Sequence, residues 1–264
     1  MMMAAALLLA IGTAGAGEKA MMMAAALLLA IGTAGAGEYT EIFDQSYAMA
    51  SDGSVGLENI NGDVTIEVWD QNEVRVYALK SASSPERLAA LLIEVDATAD
   101  RVFVDTHYPN SRELSSEDRH GHSEVEYTLT VPRSALLDGI ELVNGDLMVD
   151  GVEGGIGAQT VNGNVVVRGG DGEMEIETVN GRIELDFAST MTEEVELSSV
   201  NGSIEVVLNG SADISVETVN GSIRNDYGIE VKKGKYVGSS MEGSVGGGGP
   251  ELDIETVNGS VTIR

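Results

Sequence analysis

All three histidines of the chain, His107, His120 and His122, fall within sixteen residues, and the last two lie beside Glu117, Asp118 and Arg119. Imidazole nitrogens together with carboxylate oxygens are ligands for zinc, copper or nickel. A metal site also needs a rigid outer shell to aim its ligands, and a His-x-His pair in a polar stretch has none in view, so polar filling is the simpler account. The three histidines stand as the metal candidates, and no metal or cofactor is assigned. Calcium would need six to eight clustered oxygens. Glu177, Glu184, Glu196, Glu205, Glu217 and Glu255 instead alternate with apolar neighbours, as solvent-facing strand positions do, and the nonapeptide pattern of calcium-binding coils is absent. Polysaccharide cleavage needs carboxylates paired at a set separation. Glu177 and Glu196, read as equivalent positions of successive repeats, offer a pair, but repetition alone explains them. No acid, base and nucleophile converge, and one Trp, three Phe and seven Tyr leave few platforms for sugar rings. The chain is read as a non-enzyme with no catalytic residues.

The charge balance narrows the partners. A net charge of −28 repels phosphate backbones and anionic lipid, which excludes nucleic acid and favours neutral, cationic or metal-bearing partners. The same charge also keeps a protein soluble. With no cysteine there is no disulfide, no thiolate metal site and no Cys nucleophile. At the N-terminus, Met1 to Glu18 returns letter for letter as Met21 to Glu38. Each copy is an apolar run of roughly a dozen residues, too short to span a bilayer, followed by small residues around Ala34-Gly35-Ala36 that suit a signal peptidase. Residues 1–37 are therefore expected to be a duplicated export leader. The mature chain is expected to have no transmembrane span and to reside in the periplasm or at the cell surface.

The elements come from a repeat. Asn-Gly preceded by Val or Ile recurs at 61, 144, 162, 180, 201, 220 and 258, and the last six are separated by 18, 18, 21, 19 and 38 residues. A period near 19 marks stacked units. Before each pair lie alternating apolar residues such as Met174 and Ile176, and after it Ile183 and Leu185, so each unit is two short strands with one buried face. A meander of hairpins fits this pattern, because Asn-Gly is a strong hairpin signal and both residues tolerate positive φ. A β-solenoid fits better, because parallel coils would place like residues about 4.8 Å apart and let their amides bond as a ladder. The reading is an all-β, single-stranded parallel β-helix with Asn-Gly corners and a structural ladder of Asn144, Asn162, Asn180, Asn201, Asn220 and Asn258. The Val before each Asn is expected to stack inside. The doubled interval of 38 is assigned to a coil carrying Lys232, Lys233 and Lys235 and the Gly246 to Gly249 run.

Residues 38–133 are less regular. Tyr39 to Ala50 suits a cap on the stack, Ser84-Pro85 opens one short helix near residues 85–92, and Asn110 to Ser123 reads as a polar exposed loop. Regular coils are expected over 134–264, with 38–264 forming one continuous domain.

The run Met241-Glu242-Gly243-Ser244-Val245-Gly246-Gly247-Gly248-Gly249-Pro250-Glu251-Leu252, with Ile254-Glu255-Thr256-Val257-Asn258-Gly259-Ser260-Val261 after it, resembles the C-terminal signature of the bacterial Toastrack family. Leu57 to Ile66 with Trp69, and Leu142-Val143-Asn144-Gly145, resemble the same family, so the similarity covers about residues 40 to 264. The resemblance implies a β-strand-repeat domain outside the cytoplasm, in a group labelled adhesins and connected with envelope surfaces and stress sensing. It brings no catalytic residues. An interaction or structural module with an unidentified envelope or protein partner follows. Homo-oligomers by edge stacking are a second expectation, because strand Ser260 to Arg264 ends the chain without a cap.

Overall fold

The computed structural model describes residues 38–264 except Ser111, Glu113, Glu117 and Asp171. The expected leader lies outside the described residues. In chain order the elements are β1 (Tyr39–Ala48), β2 (Ser54–Asn61), β3 (Val64–Trp69), β4 (Glu73–Ala82), α1 (Pro85–Ala90), β5 (Leu92–Ala97), β6 (Arg101–His107) and β7 (Ser123–Pro132). Then come β8 (Leu136–Asn144), β9 (Leu147–Asp150), β10 (Ile156–Asn162), β11 (Val165–Arg168), β12 (Met174–Asn180), β13 (Ile183–Asp186), β14 (Val195–Asn201) and β15 (Ile204–Val207). The last are β16 (Ala212–Asn220), β17 (Ile223–Asn225), β18 (Val231–Lys233), β19 (Ser239–Val245), β20 (Glu251–Asn258) and β21 (Val261–Ile263).

These strands make two long sheets that face each other. Sheet I has eleven strands in the order β18-β19-β16-β20-β14-β12-β10-β8-β2-β6-β5, and sheet II has ten in the order β1-β4-β7-β3-β9-β11-β13-β15-β21-β17. Equivalent strands of successive repeats pair in parallel, with Asn162 opposite Asn180 and Asn180 opposite Asn201. Antiparallel pairing is confined to the two ends, where β1, β4 and β7 pair in turn, β5 pairs β6, and β19 pairs β16 and β18. Hairpins stacked as a meander are thus excluded for the repeats.

Period-two alternation builds the core. Met174 and Ile176 from sheet I meet Ile183 and Leu185 from sheet II, and none is more than 1% exposed. Burying each such side chain stabilises by about 1.5–3 kcal/mol, and one apolar cluster runs from Met49 to Ile263. The same alternation puts the residue before each Asn outside. The Val positions expected to stack inside are exposed, and the preceding residue is buried instead, as in Thr160, Thr178, Ser199, Thr218 and Thr256. Counting by twos from Ile176 reaches Thr178, so strand periodicity alone dictates this correction.

The stacking order departs from chain order at both ends. The coil β2/β3 lies between β6/β7 and β8/β9, and the last coil β20/β21 is inserted between β14/β15 and β16/β17. The terminal strand is therefore not an open edge: Val261 pairs Ile204 on one side and Ile223 on the other. Edge stacking through Ser260 to Arg264 is ruled out because both sides of that strand are already hydrogen-bonded. The 38-residue interval carries Lys232, Lys233 and the glycine crossing as expected, arranged as a hairpin and not as a coil. After β17 the chain forms the β18–β19 hairpin, crosses at Gly246, Gly247 and Gly248 with φ of 64°, 103° and 89°, and returns one coil inward.

The corner glycines also have an unexpected reason. Of the seven glycines at the Val/Ile-Asn-Gly corners only Gly62 has positive φ, at 118°. A Cβ on Gly145, Gly163, Gly181, Gly202, Gly259 or Gly221 would overlap the carbonyl of the glycine one coil away. Close coil contact excludes the side chain, whereas φ does not. In the N-terminal region α1 spans Pro85–Ala90, with Ser84 Oγ accepting from Arg87 N at 3.2 Å and Pro at the first turn. The polar stretch before β7 holds a 3₁₀ turn at Asp118–His120 and buries Leu114.

Candidate functional site

The corner Asn residues sit in line at the edge of sheet I. Asn144 Nδ2 donates to Asn61 Oδ1 at 3.0 Å, Asn162 to Asn144, Asn180 to Asn162, Asn201 to Asn180 and Asn258 to Asn201 each at 2.9 Å, and Asn220 to Asn258 at 3.0 Å. Asn61 is the first rung, which the regular intervals did not suggest. Every amide points the same way, so the dipoles add head to tail. Tyr108 closes that end, its hydroxyl 2.7 Å from both Asn59 Oδ1 and the Asn61 carbonyl, and burial pushes its pKa up to about 12.

Next to the Asn line runs an exposed aliphatic row. In stacking order it is Ile60, Val143, Val161, Val179, Val200, Val257 and Val219, each 39–47% exposed. Two residues back along each strand, about 6.6 Å away, lies a polar row of Glu58, Glu141, Gln159, Glu177, Ser198, Glu255 and Glu217. Another two back, Glu175, Glu196 and Asp253 align. Glu177 is thus level with Ser198, and Glu196 with Glu175. The expected equivalence of Glu177 and Glu196 fails because the first precedes its Val by two residues and the second by four. Partial loss of water raises the Glu196 pKa, and the charges of Glu175, Asp253, Glu177 and Glu255 raise it further. Shallow grooves of about 410 and 360 Å³ follow the rows, the second overhung by Gly234, Val237 and Gly238.

The two sheets handle charge differently. On the side of sheet II, Arg182 pairs Glu184 at 2.8 Å, Arg264 pairs Glu205 at 2.7 Å and Arg75 grips Asp44 through two bonds of 2.8 and 2.7 Å. The Arg75 hydrogen bond holds the Asp44 carboxyl below its ordinary value. On the outer face of sheet I, no Lys or Arg pairs with Glu58, Glu141, Glu177, Glu255, Glu217, Glu175, Glu196 or Asp253 among the described residues. Lys232 reaches Glu242, at 3.9 Å, and Arg101 stacks on Phe103 at 4.9 Å.

The structure does not gather the histidines. His107 Nε2 lies 3.2 Å from Glu94 and 3.4 Å from Asp105, His122 Nε2 lies 3.8 Å from Glu38, and His120 is exposed in the 3₁₀ turn. Among the described residues no three His, Asp or Glu side chains are grouped to hold a metal. The aliphatic row was missed because each Val was placed inside. The signal was present in the letters, since Val179 is an odd step from Met174 and Ile176.

A family model described as Toastrack DUF4097 matches residues 44–264. The chain belongs to the Toastrack DUF4097 family. Solved structures similar to this Toastrack chain include a putative cell adhesion protein from Clostridium sporogenes, at 13% identity and TM-score 0.43, covering 83% of this chain and 97% of that one. A putative adhesin from Bacteroides fragilis is 14% identical with TM-score 0.40, covering 84% of this chain and 97% of that one. A putative lipid binding protein from Parabacteroides distasonis is 11% identical with TM-score 0.28, covering 85% and 96%. No curated protein matches the chain. No helix among the described residues is long and apolar enough to cross a membrane.

Proposed function

We propose that this Toastrack chain is a non-catalytic, exported interaction module of the cell envelope. It acts as a single-stranded parallel β-helix, one domain over 38–264, that presents the outer face of sheet I to a cationic envelope component or protein. The supporting observation is the uneven pairing of charge: Glu41, Asp44, Glu184 and Glu205 on the sheet II side hold Arg or Lys within the chain, while the acidic rows of sheet I do not. Stacked coils suit display, because a rigid extended surface loses little conformational freedom on binding. Export is supported by the apolar run and small residues before Glu38.

Capture from the native envelope fraction tests the reading. The wild-type chain is expected to retain a partner that elutes with salt, and Glu175→Gln/Glu196→Gln/Glu255→Gln to lose it. Retention that ignores both salt and these changes would contradict the reading. Turnover in a screen of polysaccharides would contradict the non-catalytic part.

A further inference from the structure

The aliphatic row adds a second chemistry to the acidic face. It runs unbroken from Ile60 to Val219 with every residue 39–47% exposed, and the turn at Gly234, Val237 and Gly238 overhangs its Val200–Val219 end alone. Six spacings of about 4.8 Å make the row about 29 Å long. A contiguous apolar strip of this kind on a soluble face marks a contact surface. Its acidic flank is one-sided: the Glu58 to Glu217 row lies beside it, and the neutral Asn line borders the other edge.

We propose that this strip is a docking site for a cationic amphipathic α-helix lying along the stacking axis. A 20-residue helix is about 30 Å long, the length of the row, and its turns rise about 5.4 Å against the 4.8 Å rungs. Apolar side chains at i, i+3, i+4 and i+7 then follow the Val row. A helix about 10 Å across carries Lys or Arg on its flank over Glu177 and Glu255. An extended peptide fits less well, because same-face side chains repeat every 6.6–6.8 Å and the sheet face offers it no main-chain partners. Anionic lipid is repelled by the same acids, and a second copy would bring another net charge of −28 to the face.

The inference rests on the proposed interaction role and can fail separately from it. The probes are two synthetic 20-residue Leu/Lys peptides of identical composition, one amphipathic as a helix and one scrambled so that Leu lies all round. Their binding to the full chain is read by fluorescence anisotropy. The amphipathic peptide is expected to bind about tenfold more tightly than the scrambled one. Val161→Thr/Val179→Thr/Val200→Thr keeps β-branched side chains on the strands and is expected to erase that margin, with a thermal melt confirming the fold. Glu177→Gln/Glu255→Gln is expected to weaken both peptides, and Glu184→Gln on sheet II to weaken neither. Equal binding of the two peptides, or a margin that survives the threonine triple, overturns the helix site. If the glutamine pair still weakens both in that case, the acidic surface stands and only the helix fails. Concentration-dependent mass of the peptide-free chain, lost in the threonine triple, would give the row to a second copy and also overturn the proposal.

Discussion

Gly181→Ala puts the coil packing under the most severe local stress. A Cβ at this position overlaps the Gly163 carbonyl oxygen, sits 2.6 Å from the carbonyl carbon and 3.1 Å from Thr178 Oγ1. The blocking atoms are backbone of the adjacent coil, so no rotamer change relieves them. Opening the gap lengthens the two bonds that cross it, Gly163 N to Asn180 O at 3.1 Å and Asn180 Nδ2 to Asn162 Oδ1 at 2.9 Å. At about 1 kcal/mol net for each of these bonds, the loss is about 2 kcal/mol. For a chain of this size that lowers Tm by about 5 °C. The control is Gly139→Ala, where nothing lies within 4 Å of the added Cβ but φ is +80°. Its cost is purely conformational, about 1–2 kcal/mol. Urea unfolding of both variants against wild type measures the difference. If Gly181→Ala stays within about 1 kcal/mol of wild type, or costs less than Gly139→Ala, the steric account of the corner is wrong.

Smaller perturbations probe the rungs one at a time. Asn180→Ala removes two amide bonds at an exposed corner where water replaces part of the loss, so a melt should report about 1 kcal/mol, and no change would deny the amide line any role in stability. Thr160→Val should stabilise by about 1 kcal/mol, because the buried Thr160 Oγ1 has no hydrogen-bond partner among the described residues. Thr178→Val should instead cost about 0.5–1 kcal/mol, since its hydroxyl donates to the Gly163 carbonyl at 3.2 Å. Glu196 has a raised folded-state pKa, so the native state binds its proton more tightly and stability falls as pH rises from 4.5 through that raised value. Glu196→Gln should therefore be more stable than wild type at neutral pH, with the gain vanishing below pH 4.5 in urea titrations; a gain that persists in acid would contradict the charge-crowding explanation.

Local chemistry was readable where the repeat was regular. Met174, Ile176, Ile183 and Leu185 announce their inward faces by alternation, and Ser84-Pro85 announces the start of α1. The parallel pairing followed from identical letters recurring at 162, 180 and 201. Stacking order was hidden, because nothing in Asn258 distinguishes a coil added at the end from one inserted between Asn201 and Asn220. That choice depends on the β18–β19 hairpin turning the chain back, a long-range event with no local signature. The corner glycines misled for a related reason: a residue lacking Cβ satisfies both a positive φ and a close neighbour, and only the adjacent coil shows which applies. The histidine cluster was close in sequence but led nowhere, since His107 ends β6 while His122 precedes β7 across a folded polar segment.

The insertion of the last coil creates the continuous face on which the proposed function depends, and the chain contains no cysteine to complicate a crosslinking test. Adjacent parallel strands place like Cα atoms about 4.8 Å apart, within disulfide reach, and strands two rungs apart about 9.6 Å, beyond it. Under mild oxidation the pair Val200→Cys/Val257→Cys should close an intramolecular disulfide and Val200→Cys/Val219→Cys should not. Closure of the second pair and not the first would mean that the coils stack in chain order, and the uninterrupted aliphatic row would not exist in the form described.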